Sequence, residues 1–277
     1  MKIKATILSE NSVFSNLGAI AEHGWSVHLE TEYGHFLFDT GQGKALLNNM
    51  HVFKKDWSAI KGILISHHHV DHTGGLMVAL NEIKTKPVDV YAHPDLFKEG
   101  YLIRSGYTYI GIPFTKESLE VNGARFIYNT EFTEIYPDFY LTGEVPRKTE
   151  YETGDTDIVI KTESGYVPYP VADDQSIVIK TEKGLFIILG CSHAGIINIL
   201  NYAVLKTGES RIHTVIGGTH LWSVSERQKE ESIRALKEMK VERIGVSHCT
   251  GFEVSMRLAR EFGDQFFLCH VGTVVEA

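Results

Sequence analysis

The stretch Ile63-Leu64-Ile65-Ser66-His67-His68-His69-Val70-Asp71-His72-Thr73-Gly74-Gly75 constrains this chain more than any other. It reads as a buried apolar strand, a turn crowded with ligand-type residues, and the start of a helix. Positions 67, 69, 71 and 72 form His-x-His-x-Asp-His. Neutral imidazole and carboxylate are ligands for zinc, iron or manganese. Along an extended turn, alternation points His67, His69 and Asp71 to one side, and His72 follows at once. One short turn can then serve two adjacent metal positions. A histidine-rich run can also be a surface accident or a tag, but a tag would sit at a terminus, without Asp and without Gly-Ile-Leu-Ile before it. The pattern therefore predicts one or two divalent metal ions, zinc first, with iron or manganese as alternatives.

Further pieces follow in order: Phe38-Asp39-Thr40-Gly41 before the motif, then Gly190-Cys191-Ser192-His193, Gly217-Gly218-Thr219-His220 and Ser247-His248-Cys249-Thr250-Gly251 after it. Together these resemble the metallo-β-lactamase superfamily of metal-dependent hydrolases. The resemblance covers most of the chain except roughly residues 94 to 174. It implies an α/β fold, the αββα sandwich, in which two mixed sheets are flanked by helices and the metal site lies at one edge. The Gly-Cys-Ser-His-Ala-Gly and His-Cys-Thr-Gly forms are similar to one branch, which includes dihydropterin–ribofuranosylaminobenzene phosphate synthases.

The same resemblance gives one metal His67, His69 and His193, and the other Asp71, His72 and His248. Three protein ligands each leave positions for water and substrate, as a catalytic site requires. Asp39 is expected to orient a ligand or its loop through hydrogen bonds. His220 is a departure, because many members carry a bridging aspartate there and others a cysteine. Imidazole is a poor bridge, so His220 is expected to bind one metal, contact substrate or donate a proton. His68 is the spacer of the motif and faces away. His23, His28, His35, His51, His93, His213 and His270 lack ligand spacing and read as surface or core residues. Cys191 and Cys249 each neighbour a matched histidine. A free cysteine is commonly just buried.

The length of 277 residues suits a single domain over 1–277, with an insertion at about 94–174. The net charge of −8, with no Lys/Arg run, argues against a nucleic-acid partner and for a small-molecule substrate. Three cysteines make no disulfide framework and fit a reducing, cytoplasmic setting. The segment Met1-Lys2-Ile3-Lys4-Ala5-Thr6-Ile7-Leu8 alternates, and reads as a first strand rather than a signal peptide. No apolar run reaches the roughly 20 residues that span a bilayer.

Most of the 12 tyrosines and 7 prolines fall within 94–174. That stretch reads as short strands with aromatic loops. It serves either for packing or contact with a second copy, or as a wall over the metal site that stacks a planar substrate. Arg104, Arg147 and Lys148 could meet an anion there. Elsewhere the chain repeats itself. Trp25 to Gly41 has Thr31-Glu32-Tyr33-Gly34 at its turn, and Ser176 to Cys191 has Thr181-Glu182-Lys183-Gly184. Two β-rich halves facing each other would give this echo. Thr73 is expected to cap the helix that follows the motif, and Ser225 with Gln228 to form a capping box.

Three functions are open at this point. A hydrolase would use metal-activated water, with Asp71 binding metal and orienting the water, and His220 stabilising developing charge. Its substrate would be a phosphate-containing or aromatic small molecule. A transferase, suggested by the branch, would join a dihydropterin diphosphate to a ribofuranosyl-aminobenzene phosphate. A di-iron redox centre or a binding module is the third, though no flavin-binding domain is evident and the motif is intact.

Overall fold

Alternation along the strands decides the layering, because successive side chains of a strand face opposite ways. In the strand Gly34–Phe38, Phe36 and Phe38 enter a central core, while Leu37 enters a second core on the other face. In the strand Gly184–Ile188, Phe186 and Ile188 enter the same central core, and Leu185 and Ile187 a third. Each fully buried Phe, Leu or Ile contributes about 1.5–3 kcal/mol, so this pattern fixes the register of both strands. The computed structural model describes all 277 residues.

The first sheet has seven strands, in the order Val274–Glu276, Ile3–Ser9, Ser26–Thr31, Gly34–Phe38, Ile60–Leu64, Val88–Ala92 and Ala124–Tyr128. The second also has seven, in the order Phe266–Leu268, Arg243–Ser247, Ile212–Gly218, Gly184–Ile188, Ile177–Thr181, Phe139–Leu141 and Thr133–Tyr136. Each sheet mixes antiparallel hairpins with parallel neighbours. Helices Lys44–Val52 and Leu76–Glu82 pack on the outer face of the first sheet through Leu46, Met50, Leu76 and Leu80. Helices Ile196–Thr207, Glu226–Glu238 and Phe252–Phe262 cover the second through Ile199, Leu200, Ile233, Leu236 and Leu258. The result is the αββα sandwich. No helix is long and apolar enough to cross a membrane.

The echo between the halves extends to the turn chemistry. Thr31 Oγ1 donates to Gly34 O at 2.9 Å and accepts from the Tyr33 amide at 3.1 Å. Thr181 Oγ1 donates to Gly184 O at 2.8 Å and accepts from the Lys183 amide at 3.2 Å. Both glycines have positive φ, 124° and 130°, a region that suits a residue without Cβ.

The stretch 94–174 is divided. Ala124–Tyr128 joins the first sheet, and Thr133–Tyr136 and Phe139–Leu141 join the second. A separate four-stranded sheet, Gly165–Pro168, Ile158–Thr162, Gly100–Leu102 and Thr108–Tyr109, has its own small core of Ile158, Ile160, Tyr169 and Val171.

Two local expectations fare differently. Ser225 caps its helix by accepting from the Gln228 amide at 3.2 Å. Thr73 does not cap the helix after the motif. Its hydroxyl donates back to His69 O at 2.9 Å, because residues Val70–Thr73 already form a helical turn.

Candidate metal centre

The strand Ile60–Leu64 carries Ile63 and Leu64 into the cores on either side of the first sheet and delivers Ser66 to its edge. The chain stays extended to His69, then winds into Val70–Thr73, which turns Asp71 and His72 toward the second sheet. The strand Gly184–Ile188 delivers His193, Ile212–Gly218 delivers His220, and Arg243–Ser247 delivers His248. Ser192, His220 and His248 have φ of 64°, 53° and 49°. Non-glycine residues are held in this left-handed region only where the surroundings over-determine them, as at functional sites.

Two triads result. Ring nitrogens of His67, His69 and His193 all lie within 4.8 Å of one another, and His67 Nε2 is 3.0 Å from His69 Nδ1. In the second, His72 Nε2 is 3.3 Å from His248 Nε2, and Asp71 Oδ2 lies 3.1 Å from His248 Nε2 and 3.9 Å from His72 Nε2. Metal–nitrogen bonds of about 2.0–2.1 Å at a tetrahedral angle put two ligand nitrogens about 3.3 Å apart. The spacings of 3.0, 3.1 and 3.3 Å lie near that edge length and the 3.9 Å spacing is longer, so the donors of each triad can hold a metal ion with a small side-chain adjustment.

Hydrogen bonds on the far side of the rings decide which nitrogen is bare. Asp39 Oδ2 takes the Nδ1 proton of His72 at 2.7 Å, leaving Nε2 toward the triad. Asp39 is itself fixed by the Ser66 amide and hydroxyl, each at 2.7 Å. Asp155 Oδ2 takes the Nδ1 proton of His193 at 2.6 Å, and His193 Nε2 is buried with no partner. An unpaired nitrogen in that position is costly unless a cation meets it. Burial and neighbouring imidazoles hold His67 and His69 well below their ordinary pKa, which keeps their lone pairs available. Burial would raise the Asp71 carboxyl, but His72, His23 and His248 outweigh it and hold it well below the usual range. Burial would lower His72, yet Asp39 and Asp71 raise it to about 9, so a cation here competes with that proton.

His220 does not point at one triad alone. Its Nε2 meets Asp155 Oδ1 at 3.0 Å, its ring centroid is 4.2 Å from that of His193, and its buried Nδ1 has no partner. His68 faces away from both triads and is held by Asp173 through its amide at 2.7 Å and Nδ1 at 2.9 Å. His23 is a surface residue, as its lack of ligand spacing suggests, yet it reaches the site from outside. Its Nε2 lies 3.3 Å from Asp71 Oδ2, and its ring is 4.9 Å from that of His248.

Several partners carry no signal in the sequence at ligand spacing. Asp155 lies between His193 and His220 although it is 38 residues from one and 65 from the other. Asp174 Oδ2 accepts the His193 amide at 2.6 Å. Glu10 Oε1 accepts the His248 amide at 2.9 Å, and Asn11 Oδ1 meets His248 Nδ1 at 3.1 Å. The paired Asp173-Asp174 before a strand was the one pattern that could have been read.

Both triads open on a cavity of about 570 Å³. Its wall includes Leu102, Arg104, Tyr109, Ile110 and Ile158, all from the 94–174 stretch, with Trp222 opposite. The Arg104 guanidinium stands 5.2 Å from the Trp222 ring centre and 3.2 Å from Asp157. Arg147 does not line this cavity. It donates to the His193 carbonyl at 2.5 Å and to the Pro170 carbonyl, bracing the ligand loop.

Comparisons with known proteins agree on the family. The profile described as the metallo-beta-lactamase superfamily matches residues 20–187. The chain is 32% identical to the 7,8-dihydropterin-6-methyl-4-(beta-D-ribofuranosyl)-aminobenzene-5'-phosphate synthase of Methanocaldococcus jannaschii, over 99% of this chain and 96% of that one. It is 31% identical to an uncharacterised protein of the same organism, over 97% and 98%. Among solved structures it is similar to Tm1679, a metal-dependent hydrolase of the beta-lactamase superfamily, with a TM-score of 0.85, 29% identity and 99% of each chain covered.

Proposed function

This chain belongs to the metallo-beta-lactamase superfamily, and we propose that it is a two-metal hydrolase acting on a small molecule with an aromatic or apolar body and a phosphate or similar anionic group. The observation that carries this reading is the pair of triads at metal-ligand spacing, both opening on one cavity. His67, His69 and His193 would hold one divalent ion, and Asp71, His72 and His248 the other, with zinc first among the candidates. When bound, such ions supply Lewis acidity and lower the pKa of water toward about 7.

The chain's own residues do the rest. Asp71 orients the attacking water by accepting its proton in a hydrogen bond. Asp39 and Asp155 hold the imidazoles of His72 and His193 in one tautomer, which keeps ligand geometry fixed through the reaction. His220, tethered through Nε2 to Asp155, directs Nδ1 as a proton donor to the leaving group. Tyr109, Trp222 and the apolar wall exclude water from the substrate's body, and Arg104 meets its anionic group. We read the small four-stranded sheet as the inserted wall of a single domain. Three buried free cysteines suit a reducing compartment such as the cytoplasm.

Transfer between two substrates is the second reading, favoured by similarity along nearly the full length of a synthase. A dihydropterin diphosphate and a ribofuranosyl-aminobenzene phosphate would then share the cavity. The deciding experiment supplies metal-loaded protein with phosphodiester, lactone and thioester substrates, and separately with the two transferase substrates. Hydrolysis lost in Asp71→Asn supports the first reading. Joined product without hydrolysis supports the second. No turnover in either arm sinks both.

A further inference from the structure

We propose that the Cys191 thiol is itself a metal ligand, its sulfur joining the two metal positions in a site where His220 stands in place of a bridging carboxylate. This rests on the two-metal reading above. Cys191 is buried, and its Sγ lies 3.2 Å from His72 Nε2. The same sulfur is within 4.8 Å of donor atoms of His67 and His72 in one group, of His193 and His220 in another, and of His248 and Cys249 in a third. It therefore reaches members of both triads. A zinc–sulfur bond of about 2.3 Å beside a zinc–nitrogen bond of about 2.0–2.1 Å puts the two donors roughly 3.6 Å apart, near the spacing seen to His72.

The chemistry of the donor set points the same way. A neutral imidazole nitrogen has one lone pair and serves one ion. A thiolate sulfur has several and can serve two. His220, at the chain position that could have bridged, is drawn through Nε2 to Asp155. His193 adds an unpaired nitrogen: its side chain is 2% exposed, its Nε2 has no partner, and one of its ring nitrogens lies within 4.8 Å of this sulfur.

The backbone is arranged for it. Ser192 takes φ 64°, a left-handed turn that brings Cys191 and His193 to the same cavity although they are two residues apart. The Ser192 hydroxyl locks that turn by donating to Gly218 O at 2.7 Å. Cys249 has a different task, since its thiol donates to the Cys191 carbonyl at 3.3 Å. On coordination the Cys191 S–H bond breaks, the electron pair stays on sulfur and is shared with the metal, and the proton leaves to solvent through the cavity.

Cobalt(II) loading of the full-length protein tests this, with bound cobalt counted and the near-ultraviolet sulfur-to-cobalt charge-transfer band recorded. The wild type should bind two ions and show the band. The double variant Cys249→Ser/Cys269→Ser, in which Cys191 is the remaining thiol, should keep it. Cys191→Ser should lose it, with affinity for the second ion falling beyond the roughly 10-fold expected for loss of a mere outer partner. Should Cys191→Ser fail to fold, the double variant still decides. Two bound ions without the band, or a band lost in the double variant, would overturn the proposal and leave the two-metal reading standing. No bound cobalt in the wild type would overturn both.

Discussion

Asp39 and His72 share one proton across 2.7 Å, between Oδ2 and Nδ1, in a fully buried contact. That contact sets the tautomer of His72 and aims its Nε2 at His248 and Asp71. Asp39→Ala should therefore weaken binding of the second ion by about 10–100-fold and that of the first by less, since the Ser66 hydroxyl that Asp39 holds also meets His67 Nδ1 at 2.9 Å. It also strands the Ser66 amide, at a cost of about 1–3 kcal/mol in stability, while the Ser66 hydroxyl keeps its contact with His67 Nδ1. Chelator competition and urea unfolding measure the two effects separately. Equal loss of both ions would contradict the assignment of His72.

Asp155 is a positioning residue for two histidines at once. In Asp155→Ala both oxygens are lost, so His193 and His220 lose their partner together. Metal affinity at the first triad should drop by at least about tenfold. Calorimetric metal titration checks this, and wild-type affinity in Asp155→Ala would argue that the Asp155 contacts do not orient His193.

Removing the metals should soften the whole protein. A ligand at about 100 times its Kd stabilises by about 2.7 kcal/mol. Chelator-stripped protein should melt several degrees lower and recover on adding zinc. An unchanged Tm after verified stripping would count against binding at the buried triads.

The motif and its framework were legible because their ligands are packed into six consecutive positions, and because Phe36, Phe38, Phe186 and Ile188 alternate plainly with outward-facing leucines and isoleucines. The hairpin echo was legible for the same reason, since a Thr-x-x-Gly turn leaves a local mark. Asp155, Asp174 and His23 were not, because their roles come from contacts across tens of residues that no spacing encodes. Thr73 misled because a hydroxyl before a helix can serve its own preceding turn just as well.

Away from the metal centre, His28 gives a pH signature. It is fully buried, neither ring nitrogen has a hydrogen-bond partner, and burial, with Lys55 and His35, pushes its pKa down to about 3. The unfolded chain takes up this proton near pH 6.5, whereas the folded one resists until about pH 3. Its contribution is thus intact above roughly pH 6.5 and lost as pH falls toward about 3, by an amount on the order of a few kcal/mol. His28→Leu should lose less stability than wild type between roughly pH 7 and pH 4. Denaturation midpoints at both pH values test it, and parallel curves would refute it.

The two halves that repeat one another also divide the ligands between them. His67 and His69 come from the first half and His193 from the second; Asp71 and His72 come from the first and His248 from the second. Counting the histidines and Asp71 alone, each ion would therefore be gripped twice from one side and once from the other, like a rivet through overlapping plates. A small slip of one sheet against the other moves one ligand of each ion together, so neither position can be retuned alone by shifting the halves. The reacting geometry is inherited from how the halves dock, and selection on catalysis is also selection on that seam.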